Sequence, residues 1–324
     1  MPIDLPRFHL AHLPTPLEFL PRLSRELGPR IYVKRDDQTG LAGGGNKTRK
    51  LEFLVADALA QKADVLITVG AVQSNHCRQT AAAAAKAGLR CLLVLRGDEP
   101  KETTGNLLLD HLLGAKVLWA GKRSREEVMA EVADEERAAG RKPYPVPLGG
   151  STPLGAAAYA LAMEELKAQM EAQTLNFDRI LFASSSGGTH AGLVVGQQIT
   201  GFRGEVLGVS VDEDRETLTS TVARIATGTA SLLGQPRAYA PQDISANVDY
   251  LGAGYAIMGE PEREAIELFA QTEGVLVDPV YTGRAAAGMI DLIRRGVIRI
   301  GETILFWHTG GTPALYAYEE QLTE

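Results

Sequence analysis

Lys47-Thr48-Arg49-Lys50-Leu51-Glu52-Phe53-Leu54-Val55-Ala56-Asp57-Ala58-Leu59-Ala60 and, after a short connection, Val65-Leu66-Ile67-Thr68-Val69-Gly70 form the stretch on which the reading of the fold turns. In its first half Leu51, Leu54, Val55, Ala58 and Leu59 fall on one stripe of period near 3.6. Arg49, Lys50, Glu52 and Asp57 fall mostly off it. This pattern predicts an amphipathic helix over Lys47 to Lys62 with Asn46 as its N-cap. The second half is short, rich in β-branched residues and closed by glycine, which predicts a strand.

The same alternation extends in both directions. Strands are expected at Ile31–Arg35, Cys91–Leu95, Lys116–Trp119, Arg179–Ala183, Val206–Val211, Gly274–Asp278 and Thr303–Trp307, with helical patterns between them. Strands alternating with helices predict an α/β fold whose parallel sheets are covered by helices on both faces. So many strands predict two sheets. Those at Val65, Cys91 and Lys116 make a compact middle unit, and both ends of the chain make a larger one. Residues Gly228 to Ala246, with Pro236 and Pro241, read as a long loop. In such folds ligands sit where strands end and helices begin.

Composition narrows the function. The 324 residues are 45% hydrophobic and 23% charged, with a formal net charge of -7, enough for a sizeable core. No dense Lys/Arg run offers a face to nucleic acid. Arg22, Arg25 and Arg30 read as a solvated helix face. Two cysteines, Cys77 and Cys91, make no disulfide scaffold, so a reducing cytoplasm is expected. Residues 1–10 carry charges and no apolar leader segment. No stretch reaches the roughly 18 apolar residues of a membrane helix. The six histidines show no metal-ligand spacing, and no metal is expected.

Five motifs carry candidate chemistry. In Gly43-Gly44-Gly45-Asn46-Lys47-Thr48-Arg49-Lys50, glycines let the backbone pass close to a ligand. Lys47 then stands in a first helical turn, where positive potential lowers an amine's pKa, and only the neutral amine attacks an aldehyde. The plainer reading is a turn and a basic helix face. A nucleotide P-loop is excluded, because Asn46 stands where glycine must precede the lysine. Ser184-Ser185-Ser186-Gly187-Gly188-Thr189 joins a strand to a helix and suits a phosphate monoester held by N–H groups and hydroxyls, with no Lys or Arg in the loop. Its spacing is not that of a dinucleotide site. Gln73-Ser74-Asn75-His76 offers another helix start, where Ser74, Asn75 and His76 are candidates to hold a substrate carboxylate; a plain N-cap is the alternative. Asp278-Pro279-Val280-Tyr281-Thr282-Gly283-Arg284 puts a tyrosine at a strand end, an acid/base candidate or a packed aromatic. Trp307-His308-Thr309-Gly310-Gly311-Thr312 places Thr309 to meet a ring nitrogen.

Together these motifs resemble the fold-type II, tryptophan-synthase-β-like pyridoxal-phosphate enzymes, and within them the D-cysteine desulfhydrase and 1-aminocyclopropane-1-carboxylate (ACC) deaminase family. Val33-Lys34-Arg35-Asp36-Asp37, Gly45-Asn46-Lys47-Thr48-Arg49-Lys50-Leu51-Glu52, Gln73 to His76 with Arg78-Gln79-Thr80, Ser186 to Thr189, Pro279-Val280-Tyr281 and His308 to Gly311 carry the resemblance in order along nearly the whole chain. It implies two three-layer parallel-sheet domains with pyridoxal phosphate in the cleft between them. The larger, cofactor-binding domain would be residues 1–48 plus 162–324 and the smaller 49–161.

The resemblance also implies roles. Lys47 is the Schiff-base lysine and moves the Cα proton, and Ser185, Ser186, Gly187, Gly188 and Thr189 form the phosphate cup. Asn75 lies beside the ring hydroxyl, Ser74 meets the substrate carboxylate, Tyr281 and Tyr255 are active-site tyrosines, and Thr309 faces the pyridine nitrogen. A homodimer acting on a small amino acid is implied too. One position departs: ACC deaminases carry glutamate directly after the tyrosine of the fourth motif, and here it is Thr282. A hydroxyl cannot keep the pyridine nitrogen protonated. The weaker electron sink suits β-elimination, with D-cysteine the expected substrate, and suits cyclopropane opening poorly. L-Cysteate sulfo-lyase and ACC deaminase are the alternatives within the family. A non-catalytic phosphometabolite-binding protein and a nicotinamide-dependent oxidoreductase are those outside it, the latter disfavoured by the missing glycine fingerprint.

Overall fold

The computed structural model describes residues 5–323; residues 1–4, part of the N-terminal stretch read above, and residue 324 lie outside the described residues. The strands are β1 (Leu17–Phe19), β2 (Arg30–Arg35), β3 (Val65–Gly70), β4 (Arg90–Leu95), β5 (Lys116–Trp119), β6 (Pro143–Val146), β7 (Arg179–Ser184), β8 (Glu205–Ser210), β9 (Ala246–Asn247) and β10 (Thr303–His308). One sheet runs β1-β2-β10-β7-β8-β9 and the other β5-β4-β3-β6. All pairings are parallel except β1 with β2.

Alternate residues of each central strand feed different cores, as a sheet covered on both faces requires. Ile180, Phe182, Leu305 and Trp307 pack under the helices Pro153–Gln173, Gly188–Thr200 and Arg215–Leu232. Leu181, Ala183, Ile304 and Phe306 face Glu260–Glu273 and Thr282–Arg294. In the smaller sheet Leu66, Leu93 and Leu95 pack under Lys47–Ala60 and Asn75–Ala87, and Val65, Ile67, Val69, Leu92 and Val94 meet Arg125–Ala138. The expected α/β architecture of two helix-covered parallel sheets is therefore present.

Three expectations are corrected. Residues 274–278 form no strand, because side chains take up their backbone groups. The His308 ring lies 2.9 Å from the Leu276 carbonyl, and the Asp278 N–H donates to Thr282 Oγ1 at 2.8 Å. Most of the first part of the expected loop 228–246 is helix, which continues to Leu232. Gly228 is there for helix contact, since a Cβ on it would stand 2.7 Å from Pro153 Cγ. Asn46 does not cap the helix at Lys47; it has helical dihedrals and its side chain bonds elsewhere. The strands β1, β6 and β9 were not foreseen. They are short edge strands, and β6 contains two prolines, which edges tolerate.

The polar residues of the helix Lys47–Ala60 also differ from the expected solvated face: Arg49, Lys50 and Glu52 are buried. Arg49 explains why. Its guanidinium donates to both oxygens of Asp36, each at 2.9 Å, and to both of Glu165 at 3.0 and 2.9 Å. Asp36 also accepts from Thr15 (2.8 Å), Tyr159 (2.5 Å) and Trp307 (2.9 Å). Glu165 further accepts from buried Lys34 at 2.5 Å. Burial alone would raise the pKa of Asp36, but Arg49 beside it brings it down to about 2. The hub ties β2, β10 and two helices together immediately behind Lys47.

Removing one partner of a buried, fully hydrogen-bonded ion pair leaves the other charge uncompensated. Arg49→Met is therefore expected to cost about 3–5 kcal/mol in denaturant unfolding. A loss below about 1 kcal/mol would show that the hub does not anchor the fold.

Candidate active site

The ends of both sheets converge on one cavity. Asn46, Lys47, Lys50, Ser74, Asn75, His76, Gly149, Ser184 to Gly187, Thr189, Tyr281 and Thr309 line it. The large sheet contributes the turn after β7. The chain leaves Ser184, turns through Gly187 at φ 80° and enters the helix Gly188–Thr200, so the first N–H groups of that helix have no partner within it. Ser151 Oγ bridges to Ser186 Oγ at 2.8 Å and accepts from the Gly188 N–H at 3.1 Å. Lys50 reaches the same helix start: a Cβ on Gly188 would lie only 2.8 Å from its Nζ. Lys50 is buried, and its Nζ donates to the Gly149 carbonyl at 3.2 Å. Burial, reinforced by the charge of Lys47, pushes its pKa well below the usual lysine range.

The glycine loop before Lys47 is locked to its surroundings. Gly44 has φ 71°, and a Cβ there would stand 1.8 Å from the Asp37 carbonyl oxygen, which only glycine allows. The Asn46 N–H donates to the Thr309 carbonyl at 2.9 Å. Its side chain joins Lys47 Nζ (3.1 Å) to Thr189 Oγ1 (3.0 Å). Burial lowers the Lys47 pKa to about 8 against the opposing pull of Asp278 and Asp212. The fall expected from the helix start is present, and burial is its cause.

The small sheet contributes the helix start after β3. Ser74 Oγ caps the helix Asn75–Ala87 by accepting from the Cys77 N–H at 3.2 Å. Asn75 Oδ1 accepts from Arg78 (3.3 Å) and Asn106 (3.0 Å), which leaves its Nδ2 as the atom presented to the cavity. His76 Nε2 lies 2.8 Å from Thr68 Oγ1, whose own proton goes to the Val146 carbonyl at 2.7 Å. The imidazole is therefore the donor of that bond, and its Nδ1 has no partner among the described residues.

Tyr281 stands at the start of the helix Thr282–Arg294, and its hydroxyl lies 2.5 Å from that of Tyr255. Burial raises the pKa of both phenols, so each carries its proton at neutral pH. Asp278 is fully buried. Its carboxylate accepts from the N–H groups of Val280, Tyr281 and Thr282 and from Thr282 Oγ1, at 2.7 to 2.9 Å. Thr282 is thus consumed within the turn and does not line the cavity. On the other side Asp212 Oδ2 accepts from Ser185 Oγ at 2.7 Å.

Residues 9–310 match the family described as "Pyridoxal-phosphate dependent enzyme". The chain belongs to this family. Among relatives of this pyridoxal-phosphate enzyme, D-cysteine desulfhydrase of Yersinia enterocolitica is 46% identical, with 98% of each chain covered. A putative ACC deaminase of Pyrococcus abyssi is 42% identical, covering 98% of this chain and 96% of its own. A solved structure titled as an ACC deaminase homologue superposes with a TM-score of 0.91 at 40% identity, covering 99% of this chain and 96% of that one. The fold is that of the fold-type II enzymes, as expected.

Pyridoxal phosphate is the cofactor of the family, and the cavity suits it. A buried lysine with no carboxylate at hydrogen-bond distance, facing a helix N-terminus lined with hydroxyls, is matched to a phosphate dianion, whose charge would favour the protonated amine. Lys47 meanwhile offers an amine that is partly neutral near pH 8.

The structure brings Lys47, Ser74, Asn75, His76, Ser185, Ser186, Gly187, Thr189, Thr309 and Tyr281 to the cavity wall, with Gly188 directly behind and Tyr255 against Tyr281. Sequence reasoning missed Lys50, Ser151 and Asp212. Lys50 had a signal, because it lies three residues after Lys47 and so on the same helix face. Ser151 and Asp212 had none, as they sit in turns after β6 and β8 that only packing brings to the cup.

His76 and His190 are both buried. Burial holds His76 far below the ordinary histidine value, and takes His190 down to about 3. A folded-state pKa below the unfolded one means that stability is complete above pH 6.5 and falls as the pH drops below it. Neither ring should titrate between pH 7.5 and 5 by NMR. The two should together steepen acid destabilisation by up to about 2.7 kcal/mol per pH unit below pH 6. A ring titrating near 6.5 would contradict the geometry.

Proposed function

We propose that this chain is a lyase that removes the β-substituent of a small amino acid, with D-cysteine the substrate and pyruvate, ammonia and hydrogen sulfide the products. The observation that carries the choice is Thr282. Where the resemblance leads to glutamate in ACC deaminases, the Thr282 hydroxyl is bound to Asp278 and does not line the cavity. Near-full-length identity to D-cysteine desulfhydrase supports the same choice.

In this reading Lys50, Ser151 and Ser185 to Thr189 would hold the phosphate. Asn75 Nδ2 would meet the ring oxygen, Thr309 the ring nitrogen, and Lys47 would carry the cofactor covalently. Bound pyridoxal phosphate supplies an electron sink that makes the substrate Cα–H acidic. Ser74, Asn75 and the His76 N–H, at the start of the helix Asn75–Ala87, hold the substrate carboxylate; the His76 ring, neutral and donating to Thr68, does not. Lys47 takes the Cα proton at Nζ, a task its lowered pKa suits. The paired hydroxyls of Tyr255 and Tyr281 hold a proton and deliver it, because burial keeps both phenols protonated. The Cα–H and Cβ–S bonds break, hydrosulfide leaves, and hydrolysis of the unsaturated amine gives pyruvate and ammonia.

We further infer a division into residues 1–48 plus 162–324 and 49–161, with the helices Lys47–Ala60 and Pro153–Gln173 running across the two limits. A homodimer in a reducing cytoplasm completes the reading, and the free, buried Cys77 and Cys91 are compatible with it.

Lys47→Ala should abolish the yellow colour that the purified protein has with its cofactor; a variant that stays yellow would remove Lys47 from its role. In the wild-type apoprotein, the rate of cofactor capture should rise with pH to a midpoint near 8, rather than the ~10.4 of free lysine.

Keto-acid release from D-cysteine, L-cysteine, L-cysteate, β-chloro-D-alanine and ACC tests the substrate. Pyruvate with sulfide from D-cysteine is expected. Pyruvate with sulfite from L-cysteate alone would move the chain to the sulfo-lyases, and 2-oxobutyrate from ACC would overturn the reading of Thr282.

A further inference from the structure

Tyr255 is carried by residues 248–259, a segment between β9 and the helix Glu260–Glu273 that has no helix or strand of its own. Its backbone is unusual. Gly252 and Gly254 have φ of 60° and 141°, and Ala256 has φ 60°, a left-handed conformation that a residue with a Cβ adopts only when its surroundings enforce it. Apolar packing supplies it only at the flanks, where Tyr250 and Met258 rest against the core. A cavity of about 190 Å³ lies against the segment, lined by Tyr250, Ala253, Ile257, Met258, Pro261 and Ala287.

Polar bonds supply it between the flanks, and most come from one side chain. Arg284 is fully buried in the helix Thr282–Arg294, three residues after Tyr281. Its Nη1 donates to the carbonyls of Leu251 (2.8 Å), Gly254 (3.1 Å) and Val211 (2.8 Å). Its Nη2 donates to the Ile257 carbonyl at 2.8 Å and its Nε to Glu262 Oε1 at 2.8 Å. Glu262 in turn accepts from the Gly259 N–H at 3.0 Å. The guanidinium therefore reads the backbone on both sides of Tyr255 while rooted in the helix that begins at Tyr281. The Tyr318 hydroxyl adds a single bond, to the Ala256 carbonyl at 2.7 Å. A lysine could not replace the fork, because three donors on one atom cannot span acceptors arrayed around a plane.

We propose that Arg284, held by Glu262, is a positioning residue that sets the Tyr255 hydroxyl against that of Tyr281. The inference rests on the reading of these tyrosines as proton carriers. Arg284 touches no reacting atom and acts through the loop that carries Tyr255.

The test is a double-mutant cycle on the holoenzyme with Arg284→Met, Tyr255→Phe and the pair, together with hydrogen exchange of amides 251–257. Arg284→Met should lower kcat about 100-fold, to the level of Tyr255→Phe, with KM changed less than about threefold. The double variant should fall no further. The loop amides should exchange at least tenfold faster while those of β7 and β10 are unchanged. Arg284→Lys should recover less than half of the loss in log kcat. A double variant whose losses multiply, or loop exchange that stays at the wild-type rate, overturns the proposal. If Tyr255→Phe leaves kcat unaltered, the reading of the tyrosine falls. Arg284 is then judged by exchange alone, with faster exchange keeping it as the clamp of the loop and unchanged exchange removing it. Should Arg284→Met fail to fold, Glu262→Gln carries the same cycle.

Discussion

The ion pair of Arg49 and Asp36 is the constraint on which the rest of the molecule depends. Two charges lie out of water, and their burial is tolerated because almost every lone pair and proton around them is matched, through Glu165, Tyr159, Trp307 and Thr15. Its position gives it reach. Arg49 stands between Lys47 and Lys50 on one helix, so whatever fixes the guanidinium also fixes the start of that helix. Trp307 belongs to β10, and Asp36 directly follows the neighbouring strand β2 of the large sheet. The helix that delivers both lysines is thus fastened to the sheet that delivers the phosphate cup.

That attachment has an electrostatic consequence. Two lysines share one cavity and Asp278 and Asp212 lie near enough to act on Lys47, yet neither lysine has a carboxylate at hydrogen-bond distance among the described residues. Asp278 is occupied by its own turn and Asp212 by Ser185. The site therefore keeps two amines without a carboxylate partner near the first N–H groups of the helix Gly188–Thr200, and their pKa values fall. An anion there relieves both the mutual repulsion of the lysines and the unmet donors of the helix. The same carboxylates do structural work of other kinds, since Asp278 builds the turn that presents Tyr281.

A second buried arginine repeats the device on the far side of the cavity. Arg49 joins a helix to a sheet, while Arg284 joins a helix to an irregular loop. In both cases a planar fork with several donors meets acceptors from separate elements, which a point-like ammonium cannot do. The contrast lies in what surrounds them. Arg49 is packed under a continuous apolar core, whereas the loop around Arg284 borders a cavity and is held by polar bonds.

Periodicity and motif order in the sequence were enough for the two-sheet α/β architecture, all but one of the expected strands and most residues of the cavity wall, because each of those signals is local. A period of 3.6 or an apolar β-branched run is written over six to fifteen residues, and a glycine turn between strand and helix lies at the strand end where ligands collect. Lys47, Ser74, Asn75, Ser186 and Thr309 were legible for that reason. The tertiary structure alone decided which turns face one another. It placed Lys50 and Ser151 in the cup and Asp212 on Ser185, turned Thr282 toward Asp278, and brought the Tyr255 hydroxyl 2.5 Å from that of Tyr281. It also showed that residues 274–278 spend their backbone groups on side chains instead of a ladder. These outcomes depend on contacts between residues far apart in the chain, whose energies come from packing and from matched buried charge, and neither leaves a periodic trace in the sequence.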